Sequence, residues 1–199
     1  MESFVIKLAG QYFEICPVCD YIREYCKDYI VTIGCRKTSS NSGRYEKRDS
    51  CSDNTNQEAG YFRIAISQPD IDFERKKSAR EDAKERIPIR QFSDAYLETL
   101  AVYRKIADHL VSCDTLLFHG SVIAVDGEGY LFTAKSGTGK STHTRLWREY
   151  FGERAVMVND DKPLLHITDS GVTAYGTPWD GKHRLSTNTA VPLKGICIL

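Results

Sequence analysis

The sequence predicts a mixed α/β fold with an α+β-like sheet: a small N-terminal α+β lobe over residues 1–114, then a second unit over 115–199 in which a hairpin feeds a strand, a glycine-rich loop and a helix. Three observations carry this expectation. Short apolar runs of strand length alternate with stretches whose apolar residues recur every three or four positions. Val122-Ile-Ala-Val125 and Tyr130-Leu-Phe-Thr133 flank Asp126-Gly-Glu-Gly129, a hairpin-type connection that sets the second strand antiparallel to the first. That second strand then runs through Ala134-Lys-Ser-Gly-Thr-Gly-Lys-Ser141 into a helical pattern from Thr142 to Phe151, with Leu146, Trp147, Tyr150 and Phe151 at helical spacing.

Taken in order, Phe4-Val-Ile-Lys-Leu and Tyr12-Phe-Glu-Ile read as short strands around Ala9-Gly10, and Asp20 to Tyr29 reads as a helix with Tyr21, Ile22, Tyr25 and Cys26 on one side. Residues 37–60 are rich in Ser, Asn, Asp, Arg and Lys with little to bury, so a mobile loop is expected there. Tyr61-Phe-Arg-Ile-Ala-Ile resumes as a strand. Glu74 to Ile87 is a charged surface helix or arm whose thin apolar stripe is Ala79, Ala83 and Ile87. Its surroundings, 74–90, hold seven Lys/Arg against four Asp/Glu, which reads as a solvated face rather than a docking patch. Ser93 caps a stronger helix running to Cys113, with Leu97, Leu100, Tyr103, Ala107 and Leu110 on its core side. After the glycine-rich loop, Ala155-Val-Met-Val forms a further strand and delivers Asn159-Asp160-Asp161 at its end.

The loop Ala134 to Ser141 fits the phosphate-cradling pattern with Ala in place of the first Gly. Glycines at 137 and 139 let backbone N–H groups turn inward around phosphate oxygens, and the following helix adds the positive end of its dipole. Lys140 supplies a point charge for the outer phosphates, and Ser141 offers a hydroxyl to Mg²⁺. Ser136, Gly137, Thr138, Gly139, Lys140, Ser141 and Thr142 are therefore the candidate nucleotide contacts. Carboxylates at 160 and 161 emerge where they could hold Mg²⁺ or take a proton from an attacking hydroxyl; without the loop they would read as an ordinary Asn/Asp turn before Lys162-Pro163. Successive side chains of a regular strand face opposite sides, so the two can share a site only where the strand ends or bulges.

Composition narrows the classes. Lys plus Arg and Asp plus Glu balance at 27 each in 199 residues, which gives no basic field for a nucleic acid. No apolar stretch approaches bilayer length and no secretory pattern opens the chain, so a cytoplasmic protein without a membrane partner is expected. Seven cysteines, an odd number, fit a reducing compartment. Cys16-Pro-Val-Cys19 has redox or zinc spacing, but Cys26 and Cys35 make only a loose second pair and no βαβ setting surrounds it, so packed thiols beside a helix start are expected.

Together, His119-Gly120 on the strand before the hairpin, the loop Ser136 to Ser141 and the double carboxylate Asp160-Asp161 resemble the HPr kinase/phosphorylase and phosphoenolpyruvate carboxykinase superfamily. The likeness covers roughly residues 115–199. It implies a PEP carboxykinase-like nucleotide-binding core with ATP and Mg²⁺ as cofactors, Lys140 on the phosphates, Ser141 and Asp161 on the metal, Asp160 as proton acceptor, and His119 tuning that acid/base group. A carboxykinase proper is far longer and carries further metal motifs, so decarboxylation is not implied. In the kinases the fold continues past the point where this chain stops, so a C-terminally truncated domain is expected, ending on Gly195-Ile-Cys-Ile-Leu199 as part of a buried strand. The loop Tyr175 to Arg184 resembles one in kinase-like members that do not act on HPr, with Trp179 as a platform and Lys182, His183 and Arg184 as donors to substrate. The function implied is an ATP-dependent kinase acting on a hydroxyl of a small molecule or of a peptide or protein Ser; the alternative is a nucleotide-binding regulatory or chaperone module with little catalysis. A homo-oligomer is compatible with either.

Overall fold

The computed structural model describes residues 1–32, 60–135, 137–181 and 183–199. The expected mobile loop over 37–60, apart from Gly60, lies outside the described residues, as do Cys35, Ser136 and Lys182. Two sheets are present among the described residues. The first has the order β1-β2-β3, from β1 (Phe4–Leu8), β2 (Gln11–Cys16) and β3 (Tyr61–Ala65). The second holds seven strands: β4 (Thr115–Leu117), β5 (Ser121–Val125), β6 (Glu128–Thr133), β7 (Ala155–Asn159), β8 (Leu164–Thr168), β9 (Gly171–Tyr175) and β10 (Ala190–Ile198). Their order is β4-β8-β9-β10-β6-β5-β7, and only β10 with β6 runs parallel. The coarse mixed α/β class is thus observed.

The β5–β6 hairpin follows from its turn. Asp126 and Gly127 sit at φ 51° and 83°, the left-handed pair that a two-residue hairpin matched to strand twist requires. Alternation along these strands then divides the core. Ile123, Phe132 and Met157 face one side with Tyr130 and Trp147 against them; Val122, Ala124, Leu131 and Val158 face the other and join Leu165, Ala174 and Val191. Helix α4 (Lys140–Phe151) lies on the first side through Trp147, whose ring is 5.1 Å from Tyr130 and 5.2 Å from Phe132. Leu146 and Tyr150 do not share that contact as their spacing predicts: Leu146 is exposed and Tyr150 is 83% exposed. Trp147 makes the contact with the sheet face, while Leu146, one position before it, and Tyr150, three after it, turn outward. β10 is the expected final strand, yet Ile196 and Ile198 are exposed rather than buried.

The N-terminal sheet packs on α1 (Tyr21–Tyr25) and α3 (Asp94–Leu110), whose Ser93 cap accepts from Tyr96 N at 3.3 Å. Its core runs from Phe4 to Leu110 and takes in Leu164 and Trp179 from beyond residue 114. Packing therefore crosses the boundary expected at residue 114. Helix α2 (Gln68–Glu85) starts six residues before the expected Glu74, because Pro69 suits a first helical turn and Asp70 accepts from Ser67 N at 3.0 Å. Nor is its inner stripe Ala79, Ala83 and Ile87. The buried positions are Ile71, Glu74 and Asp82, with Arg104 Nε 2.6 Å from Glu74 and Arg90 Nη2 2.6 Å from Asp82.

Asp70 gives this helix a pH dependence. Burial raises its carboxyl pKa, but hydrogen bonds from Lys105 at 2.8 Å and from Ser67 outweigh that and hold it down at about 2. A pKa depressed by folding stabilises above the unfolded value near 4 and loses that contribution as pH falls towards 2. Asp70→Asn should cost about 1–2 kcal/mol at pH 7, with the deficit shrinking between pH 4 and pH 2 in denaturant titrations. A deficit unchanged over that window would contradict the assignment.

Candidate functional site

Strand direction gathers the site. β5 runs antiparallel to both β6 and β7, so the C-terminal ends of β6 and β7 and the N-terminal end of β5 lie at one edge of the sheet. The glycine-rich loop leaves β6 there, His119 and Gly120 enter β5 there, and Asp160 and Asp161 leave β7 there. The register of β5 on β7 shifts between Val122 and Ile123, and β7 ends at Asn159, so the two carboxylates stand beyond regular strand geometry.

The loop has the backbone its sequence implies. Gly137 and Gly139 adopt φ 82° and 108°, which a side chain would strain, and a Cβ on Gly137 would meet nothing within 4 Å. Thr138 closes a tight turn, its N–H and Oγ1 both donating to Lys135 O, at 3.2 and 2.8 Å. Lys140 is buried, with Nζ donating to Ala134 O at 3.1 Å across the loop. Gly139 serves as N-cap of α4, and among the described residues no side chain accepts from the amides of that helix's first turn. Ser141 and Thr142 are exposed on that turn. Behind the loop, the His143 ring lies tilted 4.5 Å from Phe132, and His143 accepts from Trp147 Nε1 at 3.1 Å. An uncapped helix start facing two left-handed glycines and a lysine fits a phosphate group.

The two aspartates differ in surroundings. Asp160 is 6% exposed; its Oδ1 accepts from Ser121 Oγ at 2.9 Å, and a Cβ on Gly181 would stand 2.6 Å from its Oδ2. Asp161 has its side chain 27% exposed, with His119 Nε2 3.4 Å from Oδ1 and the Lys162 ammonium on Oδ2. His119 lies in the connection before β5 rather than on a strand, because Gly120 donates its N–H to Asp161 O at 3.1 Å instead of entering the ladder. Its carbonyl accepts from Thr133 Oγ1 at 3.2 Å, which joins it to the stem of the glycine-rich loop. Asn159 organises the turn: Oδ1 accepts from the N–H groups of Asp161 and Lys162, and Nδ2 donates to Thr177 O, Thr177 Oγ1 and Trp179 O. So the Asn/Asp turn chemistry is real, and it aims the carboxylates.

The loop after β9 departs most from expectation. Trp179 is no open platform: it is buried, stacks on Tyr103 with ring centroids 4.3 Å apart, and donates Nε1–H to Thr99 O at 2.9 Å. Its indole is the anchor that holds the loop to α3. Gly176 is needed by close approach, since a Cβ there would stand 1.8 Å from Thr187 O. His183 is exposed, and the Arg184 guanidinium lies over the Tyr25 ring at 4.3 Å. Sequence reasoning passed over Ser121, Lys162 and Asp180; Ser121 opens an otherwise apolar strand, which is the one signal that could have marked it.

Cys16 ends β2 and Cys19 lies in the turn that follows, its N–H donating to the buried Glu98 carboxylate at 2.9 Å. Burial first and Glu98 second raise the Cys19 thiol pKa, the opposite of a reactive cysteine. Among the described residues no group of three or more His, Cys, Asp or Glu is arranged to hold a metal ion, and no helix is long and apolar enough to cross a membrane. A Mg²⁺ ion carried by nucleotide phosphates needs only one or two protein oxygens besides. Compared with models of protein families and with curated proteins, the chain matches none.

Proposed function

We propose that the chain is an ATP-dependent phosphotransferase of the HPr kinase-like type, with a PEP carboxykinase-like core, that moves a γ-phosphoryl group to a hydroxyl of a small molecule or of a peptide Ser in the cytoplasm. The observation that carries the reading is the convergence at one sheet edge of an uncapped glycine-rich helix start, a buried lysine and a His–Asp pair. In this reading the amides from Gly137 to Thr142 and the Lys140 ammonium bind the phosphates and neutralise charge as it develops. Mg²⁺, bound through Ser141, would supply further charge neutralisation on the phosphate oxygens.

The carboxylates take separate roles. Exposure favours the reverse of the order the resemblance implies: Asp161, open to solvent and touching His119, accepts the proton from the attacking hydroxyl. Asp160, sealed beneath Gly181 and bonded to Ser121, keeps the turn in shape from inside. A regulatory or chaperone module needs nucleotide binding but no base, and the His119–Asp161 pair favours the enzyme. The discriminating experiment is release of ADP from ATP and Mg²⁺ in the presence of candidate hydroxyl compounds and Ser peptides. Acceptor-dependent release is the expected result; tight nucleotide binding with no release against any acceptor would leave the binding module.

A further inference from the structure

The exterior of α2 is more positive than the residue count over 74–90 conveys. Two of the four acids there are withdrawn from the surface, since Glu74 and Asp82 are buried and matched by Arg104 and Arg90. Arg75 is paired with Asp94. The exposed remainder is Lys76, Lys77, Arg80, Lys84 and Arg86 against Glu81 and Glu85. Helical spacing then sorts these charges. Phe73, Lys76, Lys77, Arg80 and Lys84 stand at i, i+3, i+4, i+7 and i+11, all exposed on one face turned away from the buried Ile71 and Asp82. Glu81 and Glu85 fall to one side of that stripe. Among the described residues Lys76, Arg80 and Lys84 make no ion pair, and Lys77 reaches only the already matched Glu74, at 3.9 Å.

Like charges three and four residues apart repel along a helix, and Arg80 has three such neighbours in Lys76, Lys77 and Lys84. A bound polyanion relieves that repulsion. Residues 33–59 bring no surplus of acid to it, because their sequence holds five Lys/Arg against four Asp/Glu. The stripe also borders a cavity of about 290 Å³ between α2 and residues 89–92, lined by Arg75, Lys76, Ala79, Ile89, Phe92 and Leu97 among others. Four of these six are apolar, so the cavity suits an apolar side chain seated beside cations. Lys76 belongs to both the stripe and the cavity wall.

These features favour a peptide over the other polyanions. A single-stranded nucleic acid stacks its bases on open aromatic faces, but the Arg104 guanidinium lies 4.7 Å over Phe73 and that of Arg90 5.4 Å over Phe92. A lipid surface takes up a broad apolar helix face, and Phe73 is the one apolar residue of the stripe. We propose that α2 and the adjoining cavity dock an acidic peptide segment of a partner protein, with carboxylates on Lys76, Arg80 and Lys84 and one apolar side chain in the cavity. Cations four residues apart on a helix are spaced by about 6 Å, and alternate side chains of an extended peptide by about 6.6 Å, so Asp or Glu at every second position meets them in turn. The proposal does not depend on phosphoryl transfer at the glycine-rich loop.

The test is a fluorescence-anisotropy titration of the full chain into a labelled peptide, Leu-Ser-Glu-Ser-Glu-Ser-Glu-Ser-Leu, which presents an apolar anchor at either end of its acids. Saturable binding is expected, weakening as ionic strength rises from about 0.05 to 0.3 M. Replacing both Leu by Ser should weaken it about 5–50-fold. Arg80→Glu should weaken it tenfold or more while leaving the melting temperature unchanged or raised, because three repulsions become attractions. Lys84→Glu is the second variant and should weaken it in the same direction. A DNA duplex of about 20 base pairs and phosphatidylserine vesicles serve as competitors. No saturable binding of the peptide, indifference to salt, to the Leu replacement or to both folded charge reversals, or tighter binding of duplex or vesicles would overturn the proposal.

Discussion

Lys140→Ala should reduce phosphoryl transfer by about 10²–10³-fold or more, the usual worth of one preorganised group that stabilises transferring charge. It should do so without unfolding the protein. Among the described residues the Lys140 ammonium donates one hydrogen bond, to Ala134 O, and such a bond contributes about 0.5–1.5 kcal/mol net. Steady-state transfer and a thermal melt on the same preparation separate the two effects. Transfer within tenfold of the unmodified protein would remove the phosphate-loop reading, and a collapsed melt would show that Lys140 is structural.

The second large effect falls on the carboxylates. Asp161→Asn should leave Mg²⁺-nucleotide affinity near that of the unmodified protein while lowering the transfer rate about 10²–10⁴-fold, as loss of a general base does. Asp160→Asn should act differently, through the shape of the turn: it changes the partner of Ser121 and the surface beneath Gly181, and should lower thermal stability together with activity. Nucleotide titrations with and without Mg²⁺, set beside melting curves, distinguish them. Exchanged phenotypes would restore the order implied by the family resemblance, with Asp160 as base and Asp161 on the metal.

Where local chemistry decides the structure, the sequence was legible. The hairpin Val122 to Thr133 follows from Asp126-Gly127, and the register is the one that alternation demands. The α3 helix follows from its Ser93 cap and apolar period, and the helix after the glycine-rich loop begins within two residues of its expected start. Legibility ended where partners are distant. The inner stripe of α2 is acidic, and only the arrival of Arg104 and Arg90 makes burial of Glu74 and Asp82 tolerable. An apolar-period reading has no access to those pairs.

The same limit governs the candidate site. The glycine-rich loop and the double Asp are contiguous motifs and were visible at once. Ser121, which holds Asp160, and Lys162, which holds Asp161, acquire meaning only when β5 and β7 pair. Trp179 looked like a ligand platform because it sits among glycine, proline and charged residues. Its true environment is set by Tyr103 and Thr99, more than seventy positions earlier in the chain.

Calorimetric titration of MgADP into the full chain and into Lys140→Ala tests the central claim most directly. The account predicts saturable one-to-one binding to the unmodified protein, strengthened by Mg²⁺ and weakened at least tenfold in the variant, as loss of a charge-assisted contact requires. No binding to the folded, unmodified protein, or equal binding by the variant, would contradict it.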